Sequence, residues 1–155
     1  MTKRKIRGIT LVELSVVISI LALIALITWG SFSSLNQSQI LDKEASNVLT
    51  ILQRARNLTL ASKDASQYGV YFDTDKVVIF KGDEYDPVSL DNEVVSLHPE
   101  TRVESLDLAG GSEYVVFARL TGVTAQSGTT TLSLVKSPST IKNIVIFSTG
   151  LAEIK

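Results

Sequence analysis

At 155 residues, with 45% hydrophobic and 20% charged side chains, the chain has room for one modest folded domain beside a single long apolar segment. Its formal net charge is -1, but Lys3, Arg4, Lys5 and Arg7 all precede Gly8; beyond them 11 basic side chains face 16 acidic ones, which argues against a general polyanion binder. The absence of cysteine excludes disulfide frameworks and thiolate metal sites.

The chain opens with the basic run of residues 1–8 and passes at Ile9 into an apolar stretch that ends at Trp29. Glu13 is its one strongly polar side chain. A helix over these residues spans about 30 Å, the thickness of the hydrocarbon layer, and reads as transmembrane. The preceding lysines and arginines predict a cytoplasmic N-terminus and a remainder outside the cytoplasm. A cleaved secretory signal fits poorly, because the apolar core is too long and has no small-x-small site before Trp29. An uncleaved anchor fits the hydropathy but gives Glu13 no purpose. Thr10-Leu11-Val12-Glu13 also fits a capping box, which would make the carboxylate a local helix cap.

The combination "RGITLVELSVVISILALIAL" resembles the class III signal of type IV pilins and type II secretion pseudopilins. The resemblance implies that a prepilin peptidase cuts between Gly8 and Ile9 and methylates the new N-terminus at Ile9. It also implies that Glu13 acts in assembly register and that Lys3, Arg4, Lys5 and Arg7 form the leader. The family's usual Phe after the cut is Ile9 here, and its helix-bending Pro is replaced by Gly30, a weaker helix breaker.

Beyond Gly30, Leu41, Ala45, Val48, Leu52, Ala55 and Thr59 recur at steps of four and three, which predicts an amphipathic continuation of the helix over 30–66. The stripe is too short and too rich in Ala and Thr for a coiled coil, so it should dock on a sheet of the same chain. Residues 67–155 read as a β-rich head. Strands are expected at Tyr68–Phe72, Val77–Phe80, Val94–Leu97, Tyr114–Leu120, Thr129–Leu134 and Asn143–Phe147, with a turn at Asp73-Thr74-Asp75-Lys76 joining the first two. The fold class is α+β, a long N-terminal helix packed on an antiparallel sheet. The spacing of Phe117, Gly122, Gly128 and Gly150 resembles the GspH/FimT branch of minor pseudopilins and pilins.

Nothing in the chain points to an enzyme, a cofactor or a metal. His98 is the single histidine and reads as a loop residue beside Pro99; Asp73 and Asp75 sit where a hairpin turn favours Asp; Gly82–Pro87 is an acidic, exposed turn. The expected function is that of a minor pilin or pseudopilin, stored in the cytoplasmic (inner) membrane and then drawn into a filament. Its implied partners are the prepilin peptidase, other pilins or pseudopilins, the inner-membrane assembly platform and membrane lipid. The alternatives are a nucleic-acid-binding pilin, for which Lys136, Lys142 and Lys155 look too scattered, and an uncleaved membrane-anchored domain.

Overall fold

A computed structural model of the protein describes residues 10–155, and of residues 27–36 the backbone alone. Two units meet at Asn36 and Gln37. One helix, α1 (Leu11–Leu60), supplies the described part of the first unit and opens the second. Eight strands follow: β1 (Tyr68–Phe72), β2 (Lys76–Lys81), β3 (Glu93–Ser96), β4 (Thr101–Leu108), β5 (Tyr114–Val116), β6 (Gly128–Leu134), β7 (Ser137–Ile146) and β8 (Ala152–Ile154).

Within the second unit the helical stripe is buried as its period requires. Leu41, Ala45, Val48, Leu52, Ala55 and Thr59 are each at most 1% exposed. The five apolar ones share one core with Val70 and Phe72 of β1, Val77 and Ile79 of β2, and Leu132, Leu134, Ile144 and Ile146 of β6 and β7. The chain is therefore α+β, with its helix packed on antiparallel strands. Those strands form two four-stranded sheets rather than the single one expected, ordered β3-β2-β1-β5 and β4-β6-β7-β8. The hairpin at Asp73–Lys76 is present, closed by Asp73 N–H donating to the Lys76 carbonyl at 2.9 Å.

Several boundaries differ from expectation for local reasons. The helix ends at Leu60, short of Ser66, because Ser62, Asp64 and Ala65 all take left-handed φ values around a 3-10 turn. The buried Thr59 hydroxyl then accepts from Tyr68 N–H at 2.9 Å and donates to the Ala55 carbonyl at 3.0 Å, tying the helix end to β1. β5 stops at Val116, since the chain turns at Leu120 and Gly122, both at φ +67. β4 was not expected: its Arg102, Glu104 and Asp107 interrupt the apolar alternation, and a bulge between Val103 and Ser105 shifts its phase. β7 begins at Ser137, ahead of the expected Asn143, and tolerates Pro138 because the register shift between Ser133 and Leu134 leaves that stretch outside the regular ladder.

The first sheet is covered on both faces. Val70, Phe72, Val77 and Ile79 face the core, while Val78 and Phe80 of the same β2 strand are 1% exposed on the other side. There Tyr71, Tyr85 and Tyr114 form an aromatic layer with Phe80. Tyr71 and Tyr85 stack at 4.0 Å, and Phe80 meets Tyr85 and Tyr114 edge-on at 5.5 and 5.7 Å. Gly69, paired with Phe80 across the strands, makes room for this: a Cβ there would lie 2.3 Å from the Phe80 ring.

Candidate functional site

Thr10 starts α1 by accepting Glu13 N–H on its hydroxyl at 3.2 Å, while its carbonyl accepts Leu14 N–H at 3.1 Å. This is the Thr half of a capping box. The Glu13 carboxylate makes no hydrogen bond or ion pair among the described residues and is exposed. Capping is thus achieved without it, and the local explanation for its presence loses force.

Past that cap, the helix is apolar all round. Leu11, Val12, Leu14, Val16, Val17, Ile18, Ile20, Leu21, Leu23, Ile24 and Leu26 are all between 48% and 82% exposed. At 100° per residue these eleven positions together point in every direction around the axis, so this is a cylinder and not a stripe. The Ser15 and Ser19 hydroxyls donate back to the Leu11 and Ser15 carbonyls at 2.9 and 2.8 Å, which removes their polarity from the surface. A surface of this kind suits lipid or the apolar flanks of other helices. Glu13 interrupts it with one charge that is unpaired among the described residues.

Lys3, Arg4, Lys5, Arg7, Gly8 and Ile9 lie outside the described residues. The span expected over Ile9–Trp29 falls partly there and partly on 27–29, where the backbone alone is described. Among the described residues no helix is long and apolar enough to cross a membrane.

In the second unit two of the glycines singled out by spacing, Gly122 and Gly150, converge on Arg56 of α1. Its Nε donates to the Gly122 carbonyl at 3.2 Å and a terminal nitrogen to that of Thr149 at 3.4 Å. Gly150, at φ +77, packs so close to Gly122 that a Cβ would sit 1.8 Å from the Gly122 oxygen. Arg56 on the helix therefore clamps two loops, and Gly122 and Gly150 let them meet. Phe117 is fully buried in the common core.

The residues weighed for other chemistry have ordinary roles. His98 is exposed in a turn, its Nδ1 accepting Glu100 N–H at 3.2 Å. Asp73 accepts Thr74 N–H at 2.7 Å and pairs with Lys76 at 3.3 Å. Among the described residues no His, Asp or Glu group could hold a metal ion. Lys136, Lys142 and Lys155 are paired with Glu100, Asp42 and Glu153 at 2.9, 2.7 and 3.6 Å. Hydrogen bonds from Lys136, and from Ser133 and Arg102, hold the Glu100 and Glu104 carboxyls below their usual range. Burial, with the Asp64 hydrogen bond, raises the Tyr68 phenol.

A family model for the prokaryotic N-terminal methylation motif matches residues 3–29. In fold, the chain is similar to the crystal structure of the type IV minor pilin FimU of Pseudomonas aeruginosa. The TM-score is 0.54 over 74% of this chain and 92% of that one, at 13% identity. No curated protein matches in sequence.

Proposed function

We propose that the protein is a minor pilin or pseudopilin, a structural subunit of a type IV pilus or type II secretion pseudopilus. The observation that carries this is the helix from Leu11 to Leu26, apolar on every face and marked by one unpaired carboxylate, Glu13. The methylation motif over residues 3–29 and the pilin-like fold support it. In this reading a prepilin peptidase cuts after Gly8 and methylates Ile9. Membrane lipid holds the apolar helix in the inner membrane until the assembly platform transfers it into a bundle of like helices. Because both surroundings are apolar, transfer need not expose the helix to water.

Glu13 then has a purpose. The cationic amine made on Ile9 of an incoming subunit pairs with the Glu13 carboxylate of a subunit already in place, which sets the stagger between them. Breaking a buried pair of this kind costs about 3 to 5 kcal/mol, whereas loss of a helix cap costs about 1 kcal/mol. Glu13→Gln keeps size and hydrogen bonding but removes the charge. Intact mass of the membrane-extracted variant should show normal cleavage and methylation, while its incorporation into filaments falls at least about tenfold. Normal incorporation sinks the register role. A wild-type chain still beginning before Gly8 beside an active prepilin peptidase sinks the whole reading.

A further inference from the structure

The outer face of the first sheet does not belong to the core or to the helix, and its composition is specific. Tyr71, Tyr85 and Tyr114 are half-buried, held by stacking and by Phe80 beneath them. None of their hydroxyls has a protein partner among the described residues. Two shallow cavities of about 370 and 420 Å³ flank them and share Tyr71, Gly111, Ser112 and Glu113. No lysine or arginine lines either cavity. Of the carboxylates in their walls, Asp73 is taken by Lys76, and Glu104 by Arg102 and Ser133. Glu84 and Glu113 are unpaired among the described residues.

We propose that this groove is a recognition surface for a partner protein, and that it takes an arginine side chain from that partner between the tyrosine rings and the Glu84 and Glu113 carboxylates. Rings fixed by their neighbours present a large amphipathic contact at low entropic cost. A π-face beside free carboxylates favours a cation, and the flat guanidinium can stack on a ring while its edge meets a carboxylate, which an ammonium cannot do. After burial, the negative field of Asp73 and Glu113 is the next cause holding the Tyr71 phenol above its ordinary range, with Lys76 opposing it. The same field disfavours nucleic acid and acidic partners.

The test uses the full-length protein in uncharged detergent micelles, titrated with the end-blocked peptide Gly-Arg-Gly-Arg-Gly while the ring resonances of the four tyrosines are followed. Saturable shifts are expected for Tyr71, Tyr85 and Tyr114 but not for the buried Tyr68, with Kd of about 1 mM, as suits an isolated anchor. Citrulline in place of arginine keeps the shape but not the charge and should weaken binding at least about tenfold. Glu84→Gln with Glu113→Gln should weaken it about five- to tenfold and leave the unfolding temperature unchanged, since neither carboxylate holds the fold together. Tyr85→Ala should also weaken it, and the double glutamine variant keeps the test valid if that loop unfolds. Equal binding of the citrulline peptide, no effect of the paired glutamine change, no saturable shift, or preferential binding of an uncharged oligosaccharide would each overturn the proposal.

Discussion

Gly150 and Gly110 offer a matched pair for testing the Arg56 clamp. Their φ angles are nearly equal, +77 and +80, so alanine at either one meets the same left-handed backbone penalty, about 1 to 2 kcal/mol. Their surroundings differ. Nothing lies within 4 Å of a Cβ at Gly110, whereas at Gly150 it would fall 1.8 Å from the Gly122 oxygen and 3.0 Å from Arg56 Nε. Both of those close groups are fixed, one by the loop backbone and the other by its bond to that same oxygen. The loops must separate, and the Arg56 bond to Gly122, a charged hydrogen bond worth about 1.5 to 3 kcal/mol, is lost with them. Gly150→Ala should therefore destabilise by about 2.5 to 5 kcal/mol against about 1 to 2 for Gly110→Ala. Equilibrium urea unfolding of a fragment beginning at Gln37 measures the difference. Arg56→Ala should cost little further once Gly150→Ala is present, because the two changes remove one contact. Equal losses at the two glycines, or strict additivity with Arg56→Ala, would refute the clamp.

Three further outcomes follow from the same contacts. The fragment from Gln37 should be a soluble monomer that unfolds cooperatively, since the whole core from Leu41 to Ile146 lies within it; aggregation in size-exclusion chromatography would show that the second unit is not self-contained. Thr59→Val keeps the shape but leaves the Tyr68 N–H buried without its acceptor, so it should cost about 1 to 3 kcal/mol, while Thr59→Ser costs less; equal unfolding midpoints for the two would contradict this role. The Tyr68 phenol is raised above 10.0, so its contribution is fully present below that value and is lost as pH climbs through the higher folded pKa. Unfolding midpoints measured on the alkaline side of 10.0 should fall, and Tyr68→Phe should fall less steeply.

What could be read from the sequence was what one element states by itself. The stripe from Leu41 to Thr59 declared both a helix and its buried face, because a period near 3.6 has no other use. The strands with β-branched or aromatic runs were legible for the same reason. β4 was hidden because Arg102, Glu104 and Asp107 occupy its solvent face and a bulge breaks its alternation. The division into two sheets was hidden because pairing partners are set by long-range contacts that no local pattern records. Arg56 could not be recognised either: its acceptors are two carbonyls, Gly122 and Thr149, and a carbonyl leaves no trace in residue identity. The one signal available was the recurrence of glycines at 122 and 150. For the aromatic face, Tyr71 and Tyr114 are directly opposed on β1 and β5, but Tyr85 reaches them from a turn that looked merely acidic and exposed.

α1 carries two hydropathy patterns that require different surroundings. A stripe, such as Leu41 to Thr59, can be satisfied by one surface of its own chain. A cylinder cannot, because a single sheet covers only part of its circumference. The eleven large apolar side chains from Leu11 to Leu26 each keep about half or more of their surface exposed. Burying the remainder is worth roughly 1 kcal/mol apiece, so their sum is comparable to the entire stability of a small domain, about 5 to 15 kcal/mol. Such a helix is stable only with an external apolar partner, and on hydrophobicity alone lipid and a bundle of like helices are nearly equivalent. Glu13 separates them. In lipid an unpaired charge at mid-depth costs about 2.5 to 3.5 kcal/mol, and less near the interface. Beside a cation in a bundle the same carboxylate becomes an attraction. On the filament reading, one carboxylate therefore biases the helix out of storage and into assembly, and it does so at a single axial position that fixes the stagger.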